Sequence, residues 1–212
     1  MKKWILLLII LSIPFAISAN GDSLQTDTLR FIKVHFLYGS KPAKGFKKTE
    51  KKLFGGLHGG HVTIEAAGRN IGFNPVGSYH VFPHKKNKHG TFSYDWSNFK
   101  RDTLGKKFLT FIIPVSAEQE RIIDSLHSAY LKTTPYDYAM FGYRCASASW
   151  DILEEAGILE KKSKFWKTQV IFYPKRIRKR MIRMAAEENW IMVYKEGKKS
   201  RTWEKDVHRP DK

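Results

Sequence analysis

The stretch His61-Val-Thr-Ile-Glu-Ala-Ala-Gly-Arg-Asn-Ile-Gly-Phe-Asn74 decides the fold. His61–Ala66 and Ile71–Asn74 read as two strands, and the turn between them centres on Gly68-Arg69. That turn pairs residue 63 with 74 and residue 61 with 76. Side chains return to the same face every second residue, so His61, Thr63, Glu65 and Asn74 share one face. Asn74 then lies diagonally across from His61, within reach of its ring.

The neighbouring segments continue the pattern. Arg30–Tyr38 alternates polar and apolar residues and reads as a strand. Lys107–Ile113 is another, stopped by Pro114. Tyr79–Phe82 and Thr91–Trp96 are weaker strand candidates, and Trp190–Tyr194 is a late one. Gly39–Gly60 reads as a basic, glycine-ended loop. Ser116-Ala-Glu-Gln119 carries a capping-box signature for a helix to about Lys132, with Ile122, Ile123, Leu126 and Tyr130 on its buried face. A second helix starts near Cys145 and stops at Gly157; a third opens at Pro174 and ends near Glu188. The class is α+β: a mostly antiparallel sheet packed against helices. No repeat or interdomain linker breaks the chain, and residues 20–212 suit one domain, with 198–212 a loose tail.

Residues 1–19 have a basic start, an apolar run and a small-residue end, the pattern of an export signal cleaved near Ala19. A retained anchor is the alternative, but the run is short for a spanning helix. The chain carries +18, and Lys2 and Lys3 are the only charges in residues 1–19, so +16 remains beyond them. Such a surface attracts polyanions. Export disfavours nucleic acid as the partner and leaves an anionic cell-wall polymer or lipid headgroups. Lys175, Arg176, Arg178, Lys179, Arg180 and Arg183 form the densest cationic element, either a binding face or simply a solvated one.

Cys145 is the only cysteine. Exported proteins use cysteines in pairs, so a lone one is a leftover, an intermolecular link or a working thiol. A helix start favours its ionised form. A thiolate nucleophile needs a base, and the base an orienting group. Of eight histidines, His61 fits best, directly after a glycine pair at a strand start; His58, on the glycine loop, is second. His35 and His127 read as surface or boundary residues. Asn74 is the candidate orienter, with a turn role before Pro75 as its alternative, and Glu65 is the reserve. His80, His84 and His89 lack zinc spacing and a nearby carboxylate, so a solvated basic loop is the better reading. Ser147 and Ser149 lack a nucleophile elbow. No metal or cofactor is expected.

Gly60-His-Val-Thr-Ile-Glu65, Gly72-Phe-Asn-Pro75 and Tyr143-Arg-Cys-Ala-Ser-Ala-Ser-Trp-Asp-Ile-Leu153 together resemble the circularly permuted papain-like, NlpC-type cysteine hydrolases. The resemblance spans roughly residues 58–179 and includes the Pro-started helix after Tyr173. It implies a Cys-His-polar triad of Cys145, His61 and Asn74, although the third member is often a carboxylate in permuted relatives. It also implies acyl transfer, with cell-wall peptide amides as the substrate class. Lipid acyl hydrolysis or transfer is the second option, and an inactive polymer-binding module the third. The Cys145 backbone N–H is the expected oxyanion donor, joined by a hydroxyl from Tyr143 or Tyr138 unless those tyrosines only pack the helix.

Overall fold

The computed structural model describes residues 29–46, 60–78 and 80–204. The segment read as an export signal and His58 lie outside them. The strands are β1 (Arg30–Leu37), β2 (Ser40–Pro42), β3 (His61–Ala66), β4 (Arg69–Pro75), β5 (Gly90–Tyr94), β6 (Phe108–Val115), β7 (Ile191–Lys195) and β8 (Arg201–Trp203). The α-helices are α1 (Phe99–Asp102), α2 (Ala117–Lys132), α3 (Cys145–Glu155) and α4 (Pro174–Glu187), with a π-helical turn at Trp166–Val170. Six strands form an antiparallel sheet in the order β5-β4-β3-β1-β6-β7, and β2 pairs with β8 in a separate ribbon. Among the described residues no helix is long and apolar enough to cross a membrane.

The alternation of the strands sorts the sheet into two faces. Ile32, Val34, Phe36, Val62, Ile64, Ile71, Phe73, Leu109, Phe111 and Ile113 are buried together on one. Ala146, Ala148, Trp150, Ile152 and Leu153 of α3 pack against them, as do Ile177 and Met181 of α4. Each large apolar side chain buried this way contributes about 1.5–3 kcal/mol. The other face carries Lys33, His35, His61, Thr63, Glu65, Gly72, Asn74 and Thr110. Trp96 and Phe99 cover part of it, both edge-on to Phe108.

Several local expectations change. The β3–β4 turn centres on Ala67 (φ 48°) and Gly68 (φ 72°), and residue 63 pairs with Gly72 rather than Asn74. A tight hairpin turn needs positive φ at both central residues, which moves the register by two and leaves the faces unchanged. Pro114 continues β6 opposite Phe31 instead of stopping it. Of the candidate Tyr79–Phe82, residue 79 lies outside the described residues and 80–82 form no strand; His80 makes an isolated bridge to Ala139. His35 and His127 are buried, at 2 % and 0 % exposure, not at the surface.

The tail is not loose throughout. Arg201–Trp203 pairs with Ser40–Pro42, and Glu204 accepts from the Gly39 amide at 2.6 Å. Glu204 also meets Arg178 at 3.2 Å, while the Arg178 guanidinium stacks 3.7 Å from the Tyr38 ring. Arg178 is fully buried and leaves the expected cationic face of α4. A buried charge demands a partner, and here the tail supplies it. Arg180 also turns inward, to Glu160 and the rings of Trp150 and Trp166. The α2 capping box forms as expected, with Gln119 N donating to Ser116 Oγ at 3.1 Å and Ser116 N donating to Gln119 Oε1 at 3.0 Å.

Candidate active site

Cys145 is the first residue of α3, preceded by an extended Arg144 whose amide donates to Ser147 Oγ at 2.8 Å. The helix brings its thiol to the start of β3, where the sulfur takes hydrogen bonds from the His61 ring, the Val62 amide and the Tyr138 hydroxyl. His61 can occupy that position because Gly60 adopts φ 83°, where any Cβ would collide with the Leu37 carbonyl. Residues 61 and 145 therefore meet despite their separation in the chain.

The far side of the His61 ring meets Asp95. His61 Nε2 and Asp95 Oδ2 lie 2.9 Å apart, across Gly72, where a side chain would strike both groups. Asp95 is fixed in turn. Its amide donates to Asn70 O at 3.0 Å, Asn70 Nδ2 donates to its carbonyl at 2.9 Å, and Asn74 Nδ2 donates to both carboxylate oxygens at 3.0 and 3.1 Å. Trp96 stands edge-on to His61 with ring centroids 5.7 Å apart.

The electrostatics follow from this chain of contacts. Burial works against a charge on His61, but the Cys145 thiolate and the Asp95 carboxylate outweigh it and raise the imidazole to about 10. Burial pushes the Cys145 thiol up; the His61 imidazolium and the hydrogen bonds to the sulfur overcome that and hold it below the ordinary thiol range. Both shifts favour the thiolate–imidazolium form of the pair. Burial, followed by the adjacent thiolate, drives the Tyr138 hydroxyl well above its usual range, so it stays a proton donor. Cys145 keeps 3 % of its surface, whereas the side chains of His61 and Asp95 keep 17 % and 19 %.

The sequence-derived candidates divide accordingly. Cys145, His61 and Tyr138 come together. Asn74 reaches the site but binds Asp95, not His61; the group against the His61 ring is the Asp95 carboxylate, which the sequence reading missed. Its signal was present: alternation along Thr91–Trp96 puts Ser93 and Asp95 on one face, and β5 pairing with β4 turns that face toward Asn74. Glu65 does not meet His61; it binds Lys33 at 2.6 Å and His35 at 3.0 Å. Tyr143 is engaged away from the thiol. Its ring stacks on Tyr136 at 3.9 Å and its hydroxyl faces Asp151, in a buried group with Lys167 and Glu154.

His80, His84 and His89 do have a carboxylate beside them. Asp137 accepts from His80 Nδ1 at 2.6 Å and from the amides of His84 and His89 at 2.8 and 2.7 Å. The three rings stack, with His80 in the middle. Among the described residues no group of histidine, cysteine and carboxylate side chains has the arrangement of a metal site. Comparison with known proteins places nothing beside this geometry: no family model, no curated protein and no solved structure matches the chain.

Proposed function

We propose that the chain is a thiol-dependent acyl hydrolase that uses Cys145, His61 and Asp95 on a permuted papain-like fold. One observation carries the reading: the only thiol of the chain sits at a helix start, paired with an imidazole that a carboxylate holds from behind. A buried structural cysteine needs none of these groups.

The chemistry follows from the contacts. The Cys145 thiolate attacks an acyl carbon, forming the S–C bond as the carbonyl electrons move to oxygen. The Cys145 N–H and the Tyr138 hydroxyl face that oxygen; in the resting site they bond to one another. The oxyanion collapses, and the His61 imidazolium passes its proton to the departing nitrogen or oxygen. Water then attacks the thioester, His61 takes its proton, and the thiolate leaves. Asp95 keeps the ring oriented and favours its charged form, and Asn74 holds Asp95. Cell-wall peptide amides are the substrate class suggested by the resemblance and the export-like leader. An acyl lipid is the second reading, favoured by an apolar and cationic surface beside the thiol.

Alkylation of native protein by iodoacetamide across pH tests the site. At about pH 6 Cys145 should react faster than an ordinary thiol, which ionises near pH 8.5. A thiol that alkylates only after denaturation overturns the reading. Release of amide or ester products from purified cell wall or phospholipid vesicles, lost in Cys145→Ser, separates the two substrate classes.

A further inference from the structure

Two turns beside Cys145 project large apolar side chains into solvent. Val81 and Phe82 are 54 % and 65 % exposed, and Met140 and Phe141 are 39 % and 48 % exposed. Phe82 and Phe141 stack at 5.4 Å, which makes them one surface. Their exposure is built into a tied backbone. Met140 N donates to His80 O at 2.7 Å, Phe141 N donates to Val81 O at 2.9 Å, and His80 N donates to Tyr138 O at 3.2 Å. Asp137 clamps the first turn from beneath, and Arg144 clamps the second by donating to Ala139 O and Met140 O. Ordered exposure of apolar side chains signals a surface that something else covers.

The charge around the platform identifies the occupant. Lys85 and Lys86 stand three and four residues after Phe82 and are exposed. No acidic residue occurs between Glu65 and Asp95, and Asp137 is the sole one between Asp124 and Asp151, where it is buried and fully engaged. An anionic wall polymer would satisfy the lysines but leave the phenylalanines wet. A headgroup layer with acyl chains beneath it satisfies both.

We infer that the Val81-Phe82 and Met140-Phe141 turns form a docking platform for the surface of an anionic lipid bilayer. The platform ends four residues before Cys145, and Tyr138, at its base, hydrogen-bonds the thiol. Docking therefore holds the site against the bilayer. This inference is independent of the chemistry assigned to the thiol, because surface binding requires no turnover.

The experiment uses the full chain with Cys145→Ala, so that binding is read apart from catalysis. Co-sedimentation with phosphatidylglycerol/phosphatidylcholine vesicles should exceed that with pure phosphatidylcholine. The double variant Phe82→Ser/Phe141→Ser should lower the partition coefficient about tenfold or more, and Lys85→Glu/Lys86→Glu should lower it and reduce its salt dependence. Unchanged thermal unfolding verifies that these exposed substitutions leave the fold intact. A polarity-sensitive dye on Phe82→Cys, then the only thiol, should shift blue on vesicle addition. The inference falls if the phenylalanine pair is dispensable while Lys175→Glu/Arg176→Glu abolishes binding, since α4 would then be the contact. It falls equally if Phe82→Ser/Phe141→Ser dissolves a dimer and vesicles bind neither form, or if purified wall polymer binds and vesicles do not.

Discussion

His61 and His35 stand on adjacent strands and on the same face of the sheet, and each ring meets a carboxylate. His61 lies 2.9 Å from Asp95 and His35 lies 3.0 Å from Glu65. Their charges nevertheless move in opposite directions. Burial lowers His35, which Glu65 opposes without prevailing; its other nitrogen meets the Thr110 hydroxyl, and Phe99 stacks on its ring at 4.3 Å. His61 rises to about 10 because its other neighbour is an ionisable sulfur. Lys33 sharpens the contrast by sharing Glu65 with His35, whereas among the described residues the Asp95 carboxylate oxygens take, besides His61, the neutral Asn74 amide. A histidine paired with a carboxylate can simply be structural; the neighbouring sulfur and access to solvent set His61 apart from His35, and the proposed activity rests on that difference.

Removing the imidazole breaks the comparison most severely. His61→Ala should raise the thiol into or above its ordinary range and slow iodoacetamide alkylation at about pH 6 by about 100-fold or more, whereas His35→Gln should leave alkylation unchanged. Asp95→Asn comes next. It should slow hydrolysis by about 10- to 100-fold and move the alkaline limb downward from about 10, because the imidazolium loses its supporting carboxylate. The wild-type rate should rise as Cys145 ionises, below the ordinary thiol range, and fall as His61 loses its proton near 10.

A third histidine extends the contrast to a ring with no carboxylate pair. His127 is fully buried, neither ring nitrogen has a hydrogen-bond partner among the described residues, and burial lowers it to about 4. The folded state thus holds it neutral while the unfolded chain protonates it below about 6.5. Its contribution to stability is present above that pH and is lost progressively as pH falls toward 4. His127→Leu should therefore gain about 1–2 kcal/mol relative to wild type on going from pH 8 to pH 5, read by urea unfolding. Glu65→Gln should have the smallest effect. His35 first, then Lys33, lower Glu65 to about 2 against the opposing effect of burial, so its contribution exists above about 4.5 and disappears as pH falls through 2. At neutral pH the loss should be about 1 kcal/mol, with alkylation of Cys145 unaffected.

Local pattern alone was enough for much of this molecule. Alternation placed β1, β3, β4 and β6, Ser116 and Gln119 located the start of α2, and Pro174 marked α4. These signals act over a few residues, where backbone geometry and capping leave few choices. The face carrying His61 was legible too, since parity survived a two-residue error in register. Asp95 was not legible as the partner of His61, because that contact depends on β5 lying beside β4 and on Gly72 leaving room between ring and carboxylate. Arg178 read as a surface cation until Glu204 and Tyr38 came to it from opposite ends of the chain. His127 sat within an amphipathic helix but outside its obvious apolar stripe, and only packing against the core buried it. Residue type and spacing can nominate a thiol and an imidazole; which carboxylate stands behind the ring, and which charges go inside, are settled by contacts between segments distant in sequence, where burial energy and charge pairing outweigh local preference.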